Sequence, residues 1–132
     1  MEFRSRDIAP ESVSPLALAY LGDAVYELFV RETLIQRGVI GVNNLHRKTV
    51  KLVKASAQAE LLHKVEDQLT EEEMKIVKKG RNTKSSVPRN VDMADYRYST
   101  GFEALVGYLY LKGDNERFQE LFKAAIEETL EV

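Results

Sequence analysis

The chain has 132 residues, 44% hydrophobic and 30% charged, with no cysteine and a formal net charge of −2. This is the composition of an ordinary soluble domain, large enough to bury a core as ~150-residue domains do. It excludes disulfides and thiolate metal sites, and the longest apolar run, 104–111, is broken by Gly107 and far short of the ~20 residues of a membrane span.

Met1 to Asp7 is charged and leads into no long apolar run, unlike a signal peptide, so a cytoplasmic protein with no membrane partner is expected. Ser14 and Pro15 offer an N-cap and a first helical residue, and apolar residues recur at helical spacing up to Gly38. Asn43 or Asn44 is expected to cap a second helix running through Leu45, Val53 and Leu61 to about Asp67. Thr70 and Glu73 form a capping-box pattern, opening a short helix predicted to end at Gly80. Residues 81–91 lack helical periodicity and contain Pro88, which reads as a loop. Asp92 or Asp95 starts the next helix, which stops at Gly113, and Asp114 begins a last helix to about Leu130. No stretch alternates as a strand does, so residues 1–132 are predicted to form one all-α domain.

Charge is unevenly spread. Residues 47–97 carry twelve Lys and Arg against eight Asp and Glu, a balance of +4, and the remainder is at −6. Two stretches within the middle are purely basic: Arg47, Lys48, Lys51 and Lys54, then Lys75, Lys78, Lys79, Arg81, Lys84 and Arg89. Segregation of this kind suits a phosphate-tracking face, although a solvated helix face produces the same pattern. In the 81–91 segment Asn82, Ser85 and Ser86 add donors that a phosphate can accept.

The segments 18–27 and 102–110 each place an acid, Asp23 and Glu103, in apolar helical surroundings. Carboxylates seldom sit in such company without a cation or a partner charge. A structural acid paired to a neighbouring Arg is one reading. The other is that two acids on separate helices grip a hard divalent metal. Gly22 and Gly107 each cost a helix roughly 1 kcal/mol relative to Ala, which suggests a close helix crossing beside those acids. Glu27 is four residues from both Asp23 and Arg31 and is expected to pair with Arg31. His46 and His63 lack metal-ligand spacing, and His46 beside Arg47 and Lys48 is better placed to help hold a phosphate backbone.

The run Tyr20-Leu21-Gly22-Asp23-Ala24-Val25 resembles the ribonuclease III family signature Leu-Glu-Phe-Leu-Gly-Asp-Ala-Val, and Phe102 to Gly107 resembles that family's later Asp-x-x-Glu-Ala-x-x-Gly pattern. Two further family carboxylate positions are occupied by Ala19 and Thr100, leaving Asp23 and Glu103. The length, the segment 79–85 and the run 96–100 are similar to the short Mini-III branch, a catalytic domain with no appended double-stranded-RNA-binding domain.

The resemblance implies a homodimeric, Mg²⁺-dependent endoribonuclease, with Mn²⁺ able to substitute, that cuts double-stranded RNA to 5′-phosphate and 3′-hydroxyl ends. Its expected substrate is precursor 23S ribosomal RNA. Asp23 and Glu103 would be the catalytic, metal-holding pair. The RNA-binding set would be Arg47, Lys48, Lys51, Lys78, Lys79, Arg81, Asn82, Lys84, Ser85 and Arg89. Tyr20, next to Leu21, would pack in a core by ordinary helix logic, whereas the resemblance implies that its ring plugs a pocket of the partner subunit. Two other classes fit the helices and the basic segments: a non-catalytic RNA-binding ribosome-assembly protein, which would not require the acids, and a small-molecule metal phosphohydrolase, which would need a closed pocket.

Overall fold

The computed structural model describes residues 8–83 and 86–130, and among them there are helices and no strand. A 3-10 turn, Pro10–Ser12, leads into α1 (Pro15–Gln36), where Ser14 accepts the Ala17 N–H at 3.2 Å. The chain leaves α1 through Gly38, whose φ of +81° is the left-handed conformation expected of a stop glycine.

The single second helix expected to Asp67 is instead two, α2 (Val42–Val53) and α3 (Ala55–Val65), and the cap is Gly41 rather than an asparagine. The break falls at Lys54, which is extended (ψ 155°). Carbonyls released there find side-chain donors from elsewhere: Tyr26 donates its hydroxyl to the Leu52 carbonyl at 3.1 Å, and Gln58 donates Nε2 to the Val53 carbonyl at 3.0 Å. Buried carbonyls need such partners, and periodicity alone does not reveal them.

After a second 3-10 turn, Glu66–Gln68, α4 (Glu71–Asn82) opens with the predicted capping box of Thr70 and Glu73. It passes through Gly80 instead of ending there. A Cβ at Gly80 would lie 3.1 Å from the Gly101 Cα, so this glycine serves a helix contact rather than a stop. Arg81 and Asn82 are therefore helical, and the connecting loop is shorter than 81–91.

Asp92 caps α5 (Met93–Lys112), accepting the Asp95 N–H, and Gly113 ends it at φ +76°. Asp114 accepts the Arg117 N–H at the start of α6 (Asn115–Leu130).

Helix α5 is the centre of the molecule, packed on α1, α3, α4 and α6. From Ser99 to Leu109 every residue of it is buried except Glu103, which is half-buried. A helix apolar all round belongs inside a bundle. Phe102 links the layers, edge-on to Tyr26 of α1 at 4.9 Å and to Phe122 of α6 at 5.1 Å. Arg117 binds the buried Glu73 carboxylate through two nitrogens at 2.8 Å and donates to the Gln68 carbonyl, tying α6 to the start of α4. That guanidinium holds Glu73 below the usual carboxylate range. No helix of the described residues is long and apolar enough to cross a membrane.

Candidate active site

The site is built on the crossing of α1 and α5. A Cβ on Gly22 would fall 1.8 Å from the Glu103 carbonyl oxygen, and one on Gly107 would fall 2.1 Å from the Leu18 carbonyl oxygen. Neither distance is sterically possible, so only glycine lets the two backbones touch here. Contact at Gly22 brings the next residue, Asp23, to Glu103.

The Asp23 side chain is exposed on α1 and Glu103 faces it from α5. The Glu103 carboxyl is pushed up to about 8, first by loss of water around it, then by the Asp23 charge and a hydrogen bond to Asp23; a hydrogen bond from Gln58 opposes the rise. Among the described residues neither acid is ion-paired to a Lys, Arg or His. Two carboxylates sharing one place without a cation are mutually repulsive, and such a pair holds a proton or a metal ion.

Among the described residues no third acid joins them. Ala19 is buried, and Thr100 is buried with its hydroxyl donated to the Tyr96 carbonyl at 3.0 Å. Among the described residues no group of three His, Asp or Glu is arranged to hold a metal. Glu27 pairs with Arg31 at 2.6 Å, as the spacing predicts. His63 packs against the Tyr98 ring, centroids 4.2 Å apart, while His46 is exposed on α2.

The basic residues divide between elements. Arg47, Lys48 and Lys51 lie on α2, where Arg47 donates to Asn44. Lys51 lines a cleft of about 340 Å³ with Lys54 and Lys64. Lys78 and Lys79 are exposed on α4, and Lys79 lines a second cleft, of about 500 Å³, with Lys75 beside the start of α1. Arg81 is not the loop cation expected. It is half-buried on α4, its guanidinium 5.4 Å above the Tyr98 ring and donating to that hydroxyl at 3.4 Å. Asn82 is exposed at the end of the same helix and Arg89 is exposed in a turn; Lys84 and Ser85 lie outside the described residues.

Two features were not legible in the sequence. Gln58, 1% exposed, lies against Glu103; its only signal was a polar residue in the run 57–62. The second is a cavity of about 240 Å³ lined by Val25, Phe29, Val106, Leu109, Tyr110 and Phe118 among others. Tyr20 is not a core residue: at 85% exposure its ring stands in solvent, in a row of exposed apolar residues on α1 with Leu16, Leu28 and Ile35.

Residues 16–114 match the Ribonuclease III domain, which spans both carboxylates and the crossing that joins them. The chain belongs to the ribonuclease III family. It is 54% identical over 117 residues to a Mini-ribonuclease 3 of Symbiobacterium thermophilum, covering 88% of this chain and 90% of the relative. A Mini-ribonuclease 3 of Clostridium tetani is 46% identical over 127 residues, covering 95% and 83%. The fold is shared with a crystal structure of a Fusobacterium nucleatum protein at a TM-score of 0.82 and 30% identity, covering 89% of this chain and 95% of that one. Membership makes this chain a nuclease, and so a hydrolase.

Proposed function

We propose that this ribonuclease III family member is a homodimeric, Mg²⁺-dependent endoribonuclease that cleaves double-stranded RNA. The observation that carries the reading is the Asp23–Glu103 pair, two carboxylates pressed together with no ion-paired cation among the described residues. Oxygen donors of this charge fit a hard divalent ion, Mg²⁺ or Mn²⁺, which with few protein ligands keeps several waters. Bound there, the ion would lower the pKa of a water and offset charge on the leaving 3′ oxygen, giving 5′-phosphate products.

Asp23 and Glu103 hold and orient the charge. The lysines and arginines of α2 and α4, with Arg89, supply phosphate contacts suited to A-form RNA, which is read by shape, 2′-hydroxyls and phosphates. Similarity to the Mini-ribonuclease 3 proteins supports an RNA substrate, in our reading the structured ends of precursor 23S ribosomal RNA.

The exposed Tyr20 ring and the apolar cavity on α1, α5 and α6 support the dimer. In a two-fold pair each ring can fill the other copy's cavity, and one active site per subunit would cut each strand. Incubation with long duplex RNA, single-stranded RNA and duplex DNA, with Mg²⁺ or with chelator, tests the proposal. Cleavage of duplex RNA alone, and only with the metal, is expected; binding without cleavage would instead mark a ribosome-assembly protein.

A further inference from the structure

Two arginines that reach from one helix to another are held in different ways. Arg117 ends on the Glu73 and Glu120 carboxylates and the Gln68 carbonyl, so its charge is taken up within the bundle. Arg81, in the last turn of α4, donates Nη1 to the neutral Tyr98 hydroxyl at 3.4 Å, with the guanidinium carbon 5.4 Å from the centre of that ring. Among the described residues no carboxylate pairs with Arg81, and none of its nitrogens is buried without a partner. Its charge is therefore uncompensated, and its remaining N–H groups are open to water.

The pose is fixed from three helices. Arg81 springs from α4 beside Gly101 of α5, where a Cβ would lie 3.6 Å from its own, and His63 of α3 packs against the same Tyr98 ring with centroids 4.2 Å apart. A cation within about 6 Å of an aromatic centroid is attracted to the ring, and a guanidinium already laid down there loses less freedom when it meets a ligand. A tie between helices does not need an unpaired charge, since a neutral side chain could pack on the tyrosine. A planar, fixed and unpaired guanidinium suits a phosphate, which it can grip through two N–H bonds.

We infer that Tyr98 is a positioning residue for the substrate: its ring and hydroxyl hold Arg81 at the end of α4 so that the guanidinium meets a backbone phosphate of duplex RNA. The inference rests on the duplex-RNA reading above.

The test is binding of long duplex RNA to the full-length protein as a function of salt, in chelator so that the RNA stays intact. Wild type, Arg81→Ala, Tyr98→Leu and the double variant are compared below their melting temperatures. Arg81→Ala should lower the log–log salt slope by roughly one unit, the loss of one phosphate contact. Tyr98→Leu should weaken binding about fivefold, as loss of a cation–π contact does, although no charge is removed. In the Arg81→Ala background the same tyrosine substitution should change affinity by less than about twofold, because nothing is left to position. Should Tyr98→Leu fail to fold, Tyr98→Phe, which keeps the ring and removes the hydroxyl, should show a smaller loss that likewise vanishes without Arg81. Wild-type affinity in whichever tyrosine variant folds, or an equal loss with and without Arg81, would overturn the inference and leave Tyr98 as a helix tie. An unchanged salt slope in Arg81→Ala, or failure of both tyrosine variants to fold, would overturn it as well. A wild type that binds no duplex RNA overturns the duplex-RNA reading together with this one.

Discussion

Asp23 and Glu103 make opposite demands on the protein. Under the proposed mechanism they must be close enough to share an ion, and without that ion their proximity is unfavourable. Asp23→Asn and Glu103→Gln should each abolish cleavage by several orders of magnitude, because water activation and charge stabilisation are lost together. Both variants should melt no lower than wild type without metal, since each relieves the repulsion. Full activity in either would remove the pair from the mechanism. The raised Glu103 pKa also predicts a pH dependence. Between the ordinary value of 4.5 and about 8 the folded protein keeps a proton that the unfolded chain releases. The native state then binds more protons, so stability falls as pH rises through that window. Glu73 acts elsewhere: its lowered pKa contributes stability that is lost only as pH falls below 4.5. The melting temperature of metal-free protein should therefore decline from pH 5 toward about 8, recover on adding Mn²⁺, and lose this decline in Glu103→Gln. A flat profile in metal-free wild type would mean that neither burial nor Asp23 raises the Glu103 carboxyl.

At the scale of elements, the α1–α5 crossing carries both stability and chemistry. Gly22→Ala would drive a methyl into the Glu103 backbone, and no flexible side chain can yield there. Overpacking a core costs typically 1–3 kcal/mol, and a clash with backbone belongs at about 3 kcal/mol or above. Thermal melting should register a drop of roughly 10 °C, and cleavage should fall further than stability alone explains, because separating the helices parts Asp23 from Glu103. A variant with unchanged melting temperature would show that the helices do not touch at Gly22. The helix ends were legible locally: Ser14, the Thr70–Glu73 box, Asp92 and Gly113 each act through bonds within a few residues of themselves. Gly80 misled because a stop glycine and a contact glycine look alike until the neighbouring helix is present. The break at Lys54 was hidden for a related reason, since Tyr26, 26 residues away from Leu52, supplies one of its donors.

For the whole molecule, the decisive surface is the exposed apolar row on α1 together with the cavity lined by α1, α5 and α6 residues. If the proposed two-fold dimer seats each Tyr20 ring in the other copy's cavity, Tyr20→Ala should remove two aromatics from it; truncations of this kind in a core cost ~3–5 kcal/mol each. Light scattering at micromolar concentration should then report monomer, with cleavage reduced although Asp23 and Glu103 are intact. A fully active dimer in the mutant, or a monomeric wild type, would assign the apolar row another role. The sequence by itself determined the all-α class, most helix ends and the family, because helical periodicity, caps and the two signature runs are written in contiguous residues. Tertiary structure decided what no contiguous stretch contains. The meeting of Asp23 with Glu103 depends on two glycines 85 positions apart in the chain, Gly22 and Gly107. The burial of Gln58 at the α2–α3 break, the Arg81–Tyr98 contact in place of a free loop cation, and the exposure of Tyr20 follow from how the helices pack. Burial is a property of what surrounds a residue in space, and a residue's type and spacing cannot specify it alone.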